Sequence, residues 1–74
     1  MGSPHLQQPW EYCRVFCGTG LTLGATSPNL NGHPRLTPGL GLDDILTVLG
    51  AEGWELVGII GDRASAQLIF KRPR

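Results

Sequence analysis

The stretch GAEGWELVGII, residues 50–60, decides the fold. Before it, LDDILTVL sets Leu42, Ile45, Leu46 and Leu49 at i, i+3, i+4 and i+7, one apolar stripe on a helix. From Trp54 onward, WELVGII is apolar at almost every position and reads as a strand over 54–60. Gly53 stands where a left-handed residue stops a helix. Trp54 is then the first large side chain of the strand, expected to fold back into the core rather than to line a ligand site. Gly50 falls in the last helical turn, where a glycine costs about 1 kcal/mol relative to alanine. Close approach of the helix to the sheet is the expected compensation. Asp43 and Asp44 sit in the first turn or at the cap, where carboxylates meet unsatisfied N–H groups and the positive dipole end.

Two more strands flank this centre. WEYCRVFC, residues 10–17, is rich in aromatic and β-favouring residues, preceded by Gln-Pro and ended by Gly18. AQLIFKR, residues 66–72, follows the turn GDRAS and stops at Pro73. The final KRPR reads as a solvated tail. Residues 18–41 hold six glycines and three prolines. Two readings of this long loop stand open: a short hairpin with LTL and RLT as weak strands, or a mobile flap. The expected fold is therefore α+β: a three-stranded, mostly antiparallel sheet with one helix, in the order β-α-β-β. The helical return sets the first two strands parallel, and the third lies between them. Residues 1–9 read as a flexible tail and 10–74 as one small domain.

WEYCRVF at 10–16, LGAEGWELV at 49–57 and IFKRP at 69–73 together resemble the small prokaryotic proteins of domain-of-unknown-function family 4177. The resemblance implies a β-α-β-β fold and supplies no catalytic residue. Arg14 and Cys13 depart from its usual pattern, and the 18–41 loop is longer than its usual linker.

Six basic and six acidic residues leave a net charge of zero, and no basic face points to nucleic acid. No apolar run approaches the ~20 residues of a membrane span, and the N-terminus lacks the features of a signal peptide. A cytoplasmic location is the expectation. On a strand, Cys13 and Cys17 are separated by about 13 Å against the ~7 Å that a disulfide allows, so both read as small hydrophobes in a reducing compartment. The glycines of GTGLTLG have the wrong spacing for a dinucleotide fingerprint. His5, His33 and the two cysteines lack zinc-ligand spacing. Nothing pairs His33 with a nucleophile. Glu11 and Glu55 read as rim charges on one face. No catalytic residue, metal or cofactor is expected.

Alternation assigns Trp10, Tyr12, Arg14, Phe16, Trp54, Leu56, Ile60, Leu68 and Phe70 to one sheet face. The other takes Cys13, Val15, Cys17, Val57, Ile59 and Ile69. Both are apolar, and a helix with one stripe covers only one of them. The leading expectation is a non-enzymatic module that forms a homo-oligomer through Cys13, Val15, Val57, Ile59 and Ile69. A competing reading folds Leu21, Leu23, Leu30, Leu36 and Leu40 of the loop over the same face. The functional alternatives are a small-molecule binder using the loop as a flap near His33 and Arg35, or a small enzyme built at a subunit interface.

Overall fold

The computed structural model describes residues 9–74. The tail reading of residues 1–8, with His5, lies outside them. The elements run β1 (Trp10–Gly18), β2 (Thr22–Thr26), a 3-10 turn (Pro28–Leu30), α1 (Leu42–Ala51), β3 (Glu55–Gly61) and β4 (Ala66–Pro73). The fold is α+β, with one helix packed on an antiparallel sheet of four strands in the order β2-β1-β4-β3. β4 pairs antiparallel with both β1 and β3, so those two run in the same direction with β4 between them, as expected.

The fourth strand corrects the three-strand expectation. It comes from the Gly/Pro-rich loop, where Thr22–Thr26 folds back on β1. LTL thus contributes a strand, but its partner is β1 rather than RLT. Gly20 (φ 75°) and Leu21 (φ 59°) turn the chain between the two strands. The rest of the loop is pinned. Leu23 donates its N–H to the Leu40 carbonyl at 2.8 Å and accepts from Gly39 N–H at 2.7 Å. These bonds close the outer edge of β2, and they argue against a flap.

The helix ends as its sequence requires. Gly53 has φ 88°, Trp54 N–H donates to the Leu49 carbonyl at 3.0 Å, and Gly53 N–H donates to Gly50 at 3.0 Å. This pair of bonds is the Schellman arrangement, with glycine at the left-handed position. It delivers Trp54 into the core beside Leu49, both buried. Ile45 and Leu49 are fully buried, Leu42 and Leu46 pack against the core, and Val48 joins it from outside the expected stripe. Gly50 is exposed, and a Cβ there would meet nothing within 4 Å. The expected close approach to the sheet is absent.

The face assignment is also corrected. Cys13 pairs with Phe70 and Val15 with Leu68, whereas Tyr12 pairs with Lys71 and Arg14 with Ile69. Directly paired residues share a face. Cys13, Val15, Cys17, Ala66, Leu68 and Phe70 therefore lie together under the helix, all buried. Leu23, Leu30 and Leu36 complete that cluster, with Leu21 and Leu40 packed against it. The loop leucines thus cover the Cys13 and Val15 face, and those two cannot take part in self-association. Glu11 and Glu55 belong to opposite faces, because Glu11 pairs with Arg72 and Glu55 with Lys71.

Candidate functional site

What the helix leaves uncovered is the other face of the sheet. Four rows can be read from the strand register. Ala25, Phe16, Gln67 and Ile60 form one, and Arg14, Ile69 and Gly58 the next. Tyr12, Lys71 and Glu55 follow, and Trp10 lies beside Pro73 at the end. Trp10, Tyr12, Phe16 and Ile60 are exposed, and Ile69 is half-buried between them. Both cations on this face are already engaged. Arg14 Nη1 donates to Gln67 Oε1 at 3.2 Å, and Lys71 Nζ sits 4.1 Å from the centre of the Trp10 ring. The surface is thus aromatic, close to neutral, and carried chiefly by a central strand.

The five residues expected to form an association face do not share one. Cys13 and Val15 are core. Ile69 belongs to the open face. The register shifts between Leu56 and Gly58, which puts Val57 at a bulge. Ile59 then pairs with Leu68 and leans to the helix side of the outermost strand, still half exposed. Val57 and Ile59 are therefore edge residues.

Sequence reasoning missed the role of Arg72, which it read as the last residue of the third strand and part of a solvated KRPR ending. β4 continues through Pro73, and Arg72 ties four parts of the fold together. Its Nε donates to Glu11 Oε2 at 2.9 Å, its Nη1 donates to the Glu52 carbonyl at the helix end at 2.9 Å, and its guanidinium lies 4.3 Å from the Trp54 ring centre. A cation at a helix C-terminus also meets the negative dipole end. The alternation of the strand before Pro73 was the available signal.

His33 and Arg35 are placed by the loop. His33 Nε2 meets Glu52 Oε2 at 2.6 Å, and His33 Nδ1 accepts the Arg35 N–H at 3.1 Å. With Nδ1 accepting that bond, the Nε2 hydrogen is the one that faces Glu52. Arg35 instead lines a groove of about 350 Å³ between the loop and α1, where the buried Val48 and half-buried Leu40 form the floor and the exposed Asp44, Thr37 and Thr47 stand at the rim. So Arg35 and a carboxylate do share a concavity, without His33.

Cys13 and Cys17 are free and buried. Burial pushes the Cys13 thiol up to about 11 and raises Cys17 as well, so neither is a ready thiolate nucleophile. Among the described residues, no group of three or more His, Cys, Asp or Glu side chains is placed to hold a metal, and no helix is long and apolar enough to cross a membrane. No family model, curated protein or solved structure matches this chain, so the resemblance noted above rests on its motifs alone.

Proposed function

We propose that this chain is a non-enzymatic assembly module that self-associates through the open face of its sheet. The observation that carries this reading is the exposure of Trp10, Tyr12, Phe16 and Ile60 on one side of a sheet whose other side packs under the helix and the loop. Four strands at ~4.8 Å spacing and about seven residues at ~3.3 Å rise present roughly 400 Å² per copy. A pair buries about twice that, at the small end of specific interfaces, so a weak, concentration-dependent dimer is expected. A second copy is the fitting occupant for two reasons. The chain is neutral, so like copies meet without repulsion. Arg14 and Lys71 are already engaged within the face, which gives a polyanion or an anionic lipid surface little to hold. Two such faces stack at the ~10 Å spacing of packed sheets. The motif resemblance, with its prokaryotic setting and no known activity, agrees with a non-catalytic role. A reducing cytoplasm suits the free thiols.

Light scattering from low to high micromolar concentration tests the reading. The expected mass rises from 8.0 kDa toward a multiple of it. Tyr12→Asp and Phe16→Asp should hold the chain at the monomer mass with unchanged circular dichroism. Ile59→Asp, at the edge, should leave association intact. A monomer at every concentration overturns the proposal, and so does an oligomer that only Ile59→Asp dissociates.

A further inference from the structure

The groove between the loop and α1 combines features that the assembly reading does not use. Its floor is apolar, formed by Leu40 and Val48, and its volume of about 350 Å³ lies within the ~300–1,000 Å³ usual for small-ligand sites. Its rim carries one cation, Arg35, and one anion, Asp44. Among the described residues the carboxylates that meet a basic side chain are Glu52 with His33 and Glu11 with Arg72, so neither rim charge is neutralised by a protein partner. Thr47 Oγ1 donates its hydrogen to the Asp43 carbonyl at 2.9 Å, so toward a ligand that oxygen can only accept.

We propose that this groove binds a small zwitterion with an apolar body, the class of free apolar amino acids and their dipeptides. Arg35 takes the carboxylate, for which the guanidinium fork is suited. Asp44 takes the ammonium, with Thr47 as a further acceptor beside it. The apolar part lies on Leu40 and Val48. A simple anion would meet Asp44, with Asp43 next to it in sequence, and a simple cation would meet Arg35, so a molecule carrying both charges fits best. The loop is held in place before any ligand arrives. Leu36 is buried, Leu23 fixes residues 39 and 40, and His33 bridges Arg35 N–H to Glu52 at the helix end. Such preorganisation lowers the ordering cost of binding. His33 and Glu52 are positioning residues. The groove lies on the helix side, away from the open sheet face, so binding and self-association are separable.

Isothermal titration of the full chain with L-leucine, leucinamide (no carboxylate) and isocaproate (no ammonium) tests this. Leucine should bind at least about tenfold more tightly than either analogue. Arg35→Gln should erase the preference for leucine over leucinamide. Asp44→Asn should erase the preference for leucine over isocaproate. Glu52→Gln should weaken leucine binding while keeping its preference over both analogues. Circular dichroism confirms that each exposed-site variant is folded. No saturable heat with leucine or leucyl-leucine, equal affinity for all three probes, or leucine binding untouched by Arg35→Gln would each overturn the proposal, whatever the oligomeric state.

Discussion

The two faces of this sheet are built from the same strands and much the same residues, yet they meet opposite fates. Along β1, Cys13 is 1% exposed and its neighbour Tyr12 is 57% exposed. Val15 is fully buried while Phe16 next to it is exposed. On β1 the aromatics lie on the open side and the smaller residues on the covered one. Side-chain hydrophobicity therefore did not choose the covered face. What chose it was the supply of covering material: one helix with a narrow stripe, plus leucines from the loop, enough for one side only. Small side chains on β1 let that layer come close, and Phe70 and Leu68 on β4 fill the space between.

The sharpest way to break this contrast is to truncate one large side chain on each face. Phe70→Ala should cost about 3–5 kcal/mol, the range for a fully buried aromatic. A chain this short has few kcal/mol to lose, so that variant is expected to be largely unfolded, and Phe70→Leu gives a smaller measurable loss. Tyr12→Ala, studied at concentrations where the chain is monomeric, should change stability by no more than about 0.5 kcal/mol. Urea denaturation compares them. Equal losses would mean that the face carrying Tyr12 is not open.

The second test uses the thiols. Cys13 and Cys17 lie on the covered face, and burial raises both thiol pKa values, Cys13 from 9.0 to about 11. In the unfolded chain the thiols ionise at the ordinary value, while the folded chain keeps its protons longer. Stability is therefore complete below pH 9 and falls as pH rises through the window from 9 to about 11. Cys13→Ser should flatten part of that alkaline loss, and the melting temperature against pH reads it. At pH 8, thiol alkylation should proceed only as fast as the chain opens. Rapid labelling of both thiols in the folded protein would place them on the wrong face.

These faces also mark where the sequence could and could not be read. The helix, its glycine stop and the burial of Trp54 were legible, because a 3.6-residue stripe and a left-handed terminator are local signals. The strand directions were legible from the helical return and the short GDRAS turn, and the central place of β4 agrees with them. The pairing parity of β1 with β4 was not. WEYCRVFC is apolar in both registers, and a one-residue shift moves every side chain to the opposite face. The bulge at Val57 shifts the parity again within β3, which scattered the five expected association residues among core, edge and open face. β2 was legible only as the weak strand LTL in one of two readings, and its pairing with β1 was not, because that strand form depends on distant bonds to β1 and to residues 39–40. Of the groove, Arg35 was named from sequence. Asp44 was read only as a helix-start charge, because nothing local shows that the loop passes over it.

A third test lies where the helix hands the chain to the covered face. Gly53 has φ 88°, and that conformation turns Trp54 inward. An alanine Cβ is disfavoured there, so Gly53→Ala should destabilise by about 1 kcal/mol or more. No neighbouring atom lies within 4 Å of the position such a Cβ would take. The loss is therefore one of backbone strain, and Gly53→Asn, which tolerates the left-handed region better, should recover part of it.

Three residues earlier, Gly50 gives the smallest effect and the opposite sign. It occupies a helical position, its φ is not positive, and a Cβ would point into open space. Its carbonyl accepts the Gly53 N–H, a bond that alanine preserves. Glycine there carries the entropy cost of a flexible residue in a helix without a packing reason for it. Gly50→Ala should therefore stabilise the chain by about 0.5–1 kcal/mol, seen as a higher urea midpoint with an unchanged slope. The gain must be independent of concentration, since Gly50 belongs to the helix on the covered side and has no part in the open face. If Gly50→Ala instead destabilises the chain, the helix lies closer to a neighbour than its exposed flank allows, and the division into a covered and an open side would need redrawing at that end of the molecule.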